Sequence, residues 1–281
     1  MENNKTTSNV TTSIIIDSSY IFLALYNKLE GQWKKKTTKD KHKNSYFDGY
    51  EFINFYFDNI PMYINDLITT TKMQYNADNV TNQANVYITK GWRTSWRNNV
   101  VSNYTCELPA KIIPLLEIII RKEIGIKECN LYEGFNLESN DCVALLTKKL
   151  REKDENMFIH IISNNKRLIQ LNSERTTITN INNEQIHTKS NILSELIIFT
   201  PNKYLFFLIL KGDDDINMPC VFFDKKSDIE YDEYYDNNEM VVEECQDIIL
   251  AERLRNNYLI CDYNSIPKNL IIGFNKNNND I

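Results

Sequence analysis

Three places in this chain set carboxylates at the end of an apolar run. Phe206 to Pro219 reads F-F-L-I-L-K-G-D-D-D-I-N-M-P, so Asp213, Asp214 and Asp215 follow Gly212 directly. A buried strand or helix that stops at a glycine and presents grouped carboxylates suits a hard divalent cation, which prefers oxygen ligands. Cations held this way polarise phosphates and activate water. Ile14-Ile15-Ile16-Asp17 is a β-branched run ending in an acid. It reads as a buried parallel strand that delivers a carboxylate to its C-terminal edge, where ligands of open α/β sheets gather. The same aspartate would also suit the cap of a helix from Ser18 to Lys28. In Leu137–Leu146, Glu138 and Asp141 precede Val143, Leu146 and Leu150, which share one helical face. Acids in a first helical turn are favoured by the helix dipole.

The order of these segments, with two more, resembles the 5′-nuclease family of flap endonucleases, polymerase-associated 5′-3′ exonucleases and phage RNase H. Lys211-Gly212-Asp213, Asn217 and Pro219 resemble its K-G-D-x-x-D-N-I-P signature. Glu138 and Asp141 resemble E-A-D-D-x-x-A, with Asn140 at the middle acidic position. Phe158–Leu171 resembles I-I-S-x-D-x-D-x-x-Q-L, with Asn165 and Arg167 where two aspartates are expected. Gly91–Arg97 resembles the W-R of the family's substrate gateway, while Asn103–Leu108 lacks the lysine and arginine of the following Y-K-x-x-R. Arg253–Pro267 resembles the R-N-x-x-L-I-D-F-x-x-I-P tail of phage and large-DNA-virus members. The resemblance runs from about residue 13 to 272.

It implies an α/β, PIN-like core: a mostly parallel central sheet flanked by helices, with a reduced helical C-terminal region. It implies catalytic acids at Asp17, Glu138, Asp141 and Asp213, and a metal site of these four with Asp215. Arg93, Arg97, Lys34, Lys35 and Lys36 would meet phosphates. Two divalent cations carry four positive charges, which roughly six or seven carboxylates offset in such centres. Here Thr89, Asn140, Asn165, Arg167 and Ile216 stand where acids are expected. Arg167 at ~4 Å from a divalent ion would be repelled by about 8 kcal/mol at an effective dielectric of about 20. Its guanidinium is expected to fill an emptied metal position instead and to pair with Asp213 or Glu138. These substitutions leave two readings. One is a weakened or inactive pseudo-nuclease that acts by binding nucleic acid or protein, without a metal or with one weak site. The other is an active Mg²⁺- or Mn²⁺-dependent 5′-3′ exonuclease, flap endonuclease or RNase H that removes primers or flaps during replication from branched or primer-bearing duplexes.

The elements that must position these groups can be read coarsely. Residues 1–12 are polar and expected to be disordered. Residues 13–222 form the nuclease-like domain, and 223–281 a divergent acidic region in place of a helix-three-turn-helix. Strands are expected at Ser13–Asp17, Asn85–Thr89 and from Phe158, with a strand and turn in Thr177–Ile186. Helices are expected at Ser18–Lys28, Phe47–Thr71, Ala110–Ile126, after Glu138 and near Lys166–Leu171, with Ser190–Thr200 and Lys203–Lys211 completing the core. Residues 31–45 are basic and read as a solvated loop. From Asp224 to Glu239 the chain is strongly acidic and lacks glycine, so backbone amides could not easily approach a phosphate there. That stretch is a candidate protein-docking surface.

A net charge of −6 over 281 residues excludes a broadly basic nucleic-acid coat, so any such contact must be local. Six scattered cysteines without C-x-x-C, and only three histidines, speak for reduced thiols and against zinc. No signal-peptide core or spanning apolar run is present, which implies an intracellular protein, in the cytoplasm or a host nucleus, with no membrane partner.

Overall fold

The computed structural model describes residues 11–39, 49–76, 84–92, 94–101, 104, 129–180, 185–187, 200–222, 228–237, 241 and 245–278. Residues 1–10, the expected Ala110–Ile126 helix and residues 190–199 therefore lie outside the described residues.

The centre is a six-stranded sheet in the order β3-β2-β1-β4-β5-β6. Its strands are β1 (Thr12–Asp17), β2 (Ala84–Lys90), β3 (Cys129–Glu133), β4 (Phe158–Ile162), β5 (Thr176–Asn180) and β6 (Gln185–His187). The first five are parallel, with β1 in register against β2 on one side and β4 on the other; β6 returns antiparallel beside β5. β1 is buried along its whole length, as expected of a central parallel strand covered on both faces. Side chains alternate across it. Ile14 and Ile16 join Val86, Ile88 and Ile162 under α1 (Ser18–Lys39) and α2 (Gly49–Asn76). Ile15 joins Tyr87, Ile159, Ile161 and Ile178 under α3 (Ser139–Lys153) on the opposite face.

α1 runs well past Lys28 to Lys39, through the first part of the basic stretch read from sequence as a loop; residues 40–45 lie outside the described residues. Trp33 extends the α1–α2 contact, its ring 5.2 Å from Phe55 and 6.5 Å from Phe52. That packing overrides the weak helix preference of a charged segment. β3 gives no sequence signal, because Tyr132 alone of its five residues is buried.

After β5 and β6 the chain forms α4 (Pro201–Lys211), capped by Thr200, whose side chain accepts from the Lys203 amide. The acidic stretch contains α5 (Asp228–Asp236); its Tyr231 and Tyr234 pack with Phe207, Leu210 and Phe222. α6 (Ile248–Cys261) and α7 (Lys268–Asn277) follow. Beyond α6 the chain returns to the main core, where Tyr263, Ile266 and Phe274 are buried against the α3 face of the sheet. Among the described residues no helix is long and apolar enough to cross a membrane.

The Lys211-Gly212-Asp213 turn explains its own composition. Gly212 has φ +74°, and a Cβ there would lie 2.3 Å from the Met218 carbonyl oxygen. Asp213 and Met218 exchange backbone hydrogen bonds at 2.8 and 2.9 Å, and Asn217 takes a positive φ of 53°. Glycine and asparagine tolerate such conformations. Gly212→Ala is expected to cost about 1–3 kcal/mol, read as a lower urea midpoint at unchanged m-value. A neutral result would mean that the turn is not held as described.

Candidate active site: a carboxylate cluster filled by arginine

The C-terminal edge of β1 and β2 meets the N-terminus of α3. Asp17 closes β1 and is fully buried. Thr89, at the end of β2, bonds the Ser139 hydroxyl at 2.9 Å, and that hydroxyl also reaches the Thr89 carbonyl at 3.1 Å. The position expected to be acidic on this strand therefore fastens α3. Gly91 permits the approach: a Cβ there would lie 2.5 Å from the Ser139 amide nitrogen.

Asp141 is saturated. Its Oδ2 accepts from the Glu138 amide at 3.1 Å, the Trp96 indole at 3.2 Å and Arg97 Nη1 at 2.8 Å. Its Oδ1 accepts from Arg97 Nη2 at 2.8 Å. The pair is a bidentate fork, the strongest form of such a contact, and both side chains are fully buried. Arg97 also stands 3.8 Å from Glu138 and donates through Nε to the Ile260 carbonyl at 2.9 Å.

Arg167 fills the other side. Its Nη2 lies 3.1 Å from Glu138 Oε2, one of the two partners expected for it, and its Nη1 donates to Ile260 O at 3.1 Å and toward the Tyr104 hydroxyl at 3.4 Å. Asn165, at another expected acidic position, caps the short turn of Lys166–Leu171 by accepting from the Arg167 amide at 2.9 Å. Its own amide donates to the Ser163 hydroxyl at 3.0 Å, which donates to Asp17 Oδ2 at 2.7 Å. Asn140 reaches Glu138 Oε2 at 3.4 Å.

These contacts set the protonation states. Burial alone would raise Glu138 and lower Arg97. The neighbouring charges overcome it: Arg97 and Arg167 hold Glu138 down at about 2, and Asp141 and Glu138 push Arg97 above its ordinary range. Asp17 is raised, because its burial outweighs the Ser163 hydrogen bond and the more distant charge of Arg167. Asp17 Oδ1, Ser18 Oγ and Glu138 Oε1 are buried without a hydrogen-bond partner.

The expected site is only partly assembled. Asp17, Glu138 and Asp141 come together at the sheet edge. Asp213 is half-buried in the Gly212 turn, Asp214 is exposed, and the side chain of Asp215 lies outside the described residues. Among the described residues no group of three His, Cys, Asp or Glu side chains is arranged to hold a metal ion.

Arg97, expected on substrate phosphates, faces inward, and its guanidinium is spent on Asp141 and Ile260. Arg93 lies outside the described residues. Lys34, Lys35 and Lys36 are exposed, but α1 starts at the site and carries Lys34 about 24 Å along its axis at 1.5 Å per residue. They do not line the carboxylate cluster. Sequence reasoning missed the Trp96–Asp141, Arg97–Asp141 and Ile260 contacts. The first two join residues 44–45 apart and the last spans 163, so no local pattern encodes them.

A two-cation centre does not fit this donor set. Three buried carboxylates (Asp17, Glu138, Asp141) face two buried guanidinium groups (Arg97, Arg167), a net of −3 + 2 = −1 with all ionised. Two divalent ions would leave these five groups at +3, and both oxygens of Asp141 already accept from the Arg97 guanidinium.

Comparison with known proteins agrees with this architecture. A 5′-3′ exonuclease of Buchnera aphidicola subsp. Schizaphis graminum is 29% identical over 136 residues, 46% of this chain and 45% of that protein. The 5′-3′ exonuclease of the Acyrthosiphon pisum strain is 31% identical over the same shares. The fold is that of a lysine-to-alanine mutant of T5 5′-exonuclease, with TM-score 0.58 over 95% of this chain and 97% of that one at 11% identity. This chain has the fold of the T5 5′-exonuclease and resembles 5′-3′ exonucleases in sequence over 46% of its length. No family model matches it, and it spans about half the length of the curated 5′-3′ exonucleases it matches. A second 5′-nuclease structure, TM-score 0.57 at 12% identity over 95% and 97% of the chains, is an aspartate-to-lysine variant of the bacteriophage T5 D15 flap endonuclease, described as a pseudo-enzyme–product complex with DNA and metal ions.

Proposed function

We propose that this chain is a non-hydrolytic 5′-nuclease-fold protein that binds nucleic acid. The observation that carries the reading is the pair of buried arginines in the carboxylate cluster. Hydrolysis of a phosphodiester by two metals requires cations bridging the attacking and leaving oxygens. Here the cationic positions are covalently part of the chain, and neither guanidinium can activate water. The cluster is also closed: Asp17, Glu138, Asp141, Arg97 and Arg167 are all buried, so a phosphate has no path to them without rearrangement.

Loss of chemistry does not entail loss of binding. The T5 pseudo-enzyme, with a lysine for an aspartate, is a complex with DNA. In this chain the candidate contact is the exposed basic end of α1 at Lys34, Lys35 and Lys36, extended in sequence by Lys39, Lys41 and Lys43. Such a patch works through counterion release and depends on salt.

The test compares cleavage and binding of one 5′-flap duplex. The full chain is expected to bind it, to leave it intact in Mg²⁺ or Mn²⁺, and to lose affinity as salt rises. Replacing Lys34, Lys35 and Lys36 with glutamate should weaken binding and flatten the salt slope. Metal-dependent release of the flap by the unaltered chain would overturn the non-hydrolytic reading, and an absence of binding at low salt would overturn the nucleic-acid reading.

A further inference from the structure

The two buried arginines share a partner that the carboxylates do not explain. Arg97 Nε and Arg167 Nη1 both donate to the Ile260 carbonyl, at 2.9 and 3.1 Å. Ile260 lies in the last turn of α6, where the final carbonyls of a helix lack intrahelical partners and carry the negative end of its dipole. The next carbonyl, of Cys261, accepts from Gln170 Nε2 at 2.9 Å, and the same amide nitrogen donates to Arg167 O at 2.7 Å. Gln170 Oε1 then receives the Tyr263 amide at 3.4 Å. The end of α6 is thus seated on donors from the cluster.

The chain beyond α6 depends on that seat. Tyr263, Ile266 and Phe274 are buried in the core beneath α3. The Asn278 side chain reaches the Glu133 carbonyl at 3.0 Å, and Lys149 of α3 bonds the Asn278 carbonyl. α3 is therefore gripped twice by the C-terminal segment. Its acidic N-terminus is held through the two arginines, and its later turns are held through Lys149.

We propose that Arg97 and Arg167 form a metal-independent cross-link that docks the C-terminal segment, residues 257–278, onto the carboxylate cluster. The proposal rests on the reading that the cluster holds no metal pair. Each guanidinium has donors on two sides: one side neutralises Glu138 or Asp141, and the other binds the end of α6. A divalent ion could neutralise the acids, but having no N–H to donate it could not bind Ile260 O in the same way. Arg97 and Arg167 are accordingly positioning residues for the C-terminal segment.

The test is amide hydrogen exchange on the full chain, with and without EDTA and with added Mg²⁺. Wild-type protection of Ile260–Ile266 should be the same in all three conditions. Arg97→Met should speed exchange there roughly 10–100-fold, the loss of a charge-assisted hydrogen bond. Amides of β4 and β5 should change far less. Arg97→Lys guards against a folding defect, since it keeps the charge beside Asp141 but cannot also reach Ile260. It should therefore leave the sheet protected and still loosen Ile260–Ile266. Wild-type protection that rises with Mg²⁺ or falls with EDTA would overturn the cross-link. So would uniform acceleration in both variants, or none in either. Because the readout is exchange rather than cleavage, the cross-link and the non-hydrolytic reading fail separately.

Discussion

Replacing Asp141 with alanine should lower stability by about 3–5 kcal/mol, because it strands the fully buried Arg97 without its counter-charge. The sign of this effect is diagnostic. In a metal-binding carboxylate cluster measured without metal, acids repel one another, and deleting one relieves the fold. In this chain Asp141 accepts from Arg97 at 2.8 Å on each oxygen, and from Trp96 and the Glu138 amide as well. Its removal leaves those donors buried and unsatisfied. Urea unfolding in EDTA reads the difference directly. The double variant Asp141→Leu with Arg97→Met should recover much of the loss, since a buried ion pair exchanged for apolar groups of similar volume is often nearly neutral. A stabilised Asp141→Ala protein would mean that the acids repel in the metal-free state and that the arginines do not compensate them.

Acid should destabilise the protein in two stages. His160 on β4 is buried between Thr177 and Thr179, its ring nitrogens 2.7 and 2.5 Å from their hydroxyls. Burial depresses it from 6.5 to about 3. As pH falls below 6.5 the unfolded chain takes a proton that the folded chain refuses. The stability present above pH 6.5 is thus lost progressively until the pH passes about 3. Glu138, depressed from 4.5 to about 2, adds a loss of the same sign that begins near pH 4.5. Asp17 is raised above 3.8 and acts oppositely: its contribution is present below that pH and lost as pH rises through its folded value. Between pH 6.5 and 4.5 His160 contributes a slope of up to about 1.4 kcal/mol per pH unit for one proton, offset wherever Asp17 takes up its proton in the same window. Urea midpoints across this window should change less in favour of high pH once His160→Gln is made, by up to that slope. A profile that His160→Gln leaves unchanged would show that His160 protonates freely in the fold.

The scaffold was legible in the sequence because its signals are local. Ile14–Ile16 is apolar on both faces of a strand, which only a central parallel position accommodates. Glu138 and Asp141 precede a one-faced apolar helix, and the observed α3 starts at Ser139. Gly212 and Asn217 occupy positive-φ positions that few residues tolerate. Arg167 was legible too, since a cation in place of an aspartate must find a carboxylate, and it meets Glu138. Asn140 and Asn165 were legible in the same way as uncharged side chains at positions expected to be acidic.

Tertiary structure alone decided where the remaining groups went. Nothing near Arg97 indicates whether it faces a phosphate or an acid 44 residues away; burial beside Asp141 decides it. Lys34–Lys36 are basic in any conformation, but the packing of Trp33 on Phe55 makes them the far end of a long helix instead of a loop near the cluster. Ile260 offers only a backbone carbonyl, which every residue has, so no sequence pattern could mark it as the group joining both arginines. Periodicity and turn chemistry fix elements through neighbours in the chain. Charge pairing across the sheet edge depends on which distant segments are buried together, and only the assembled core determines that.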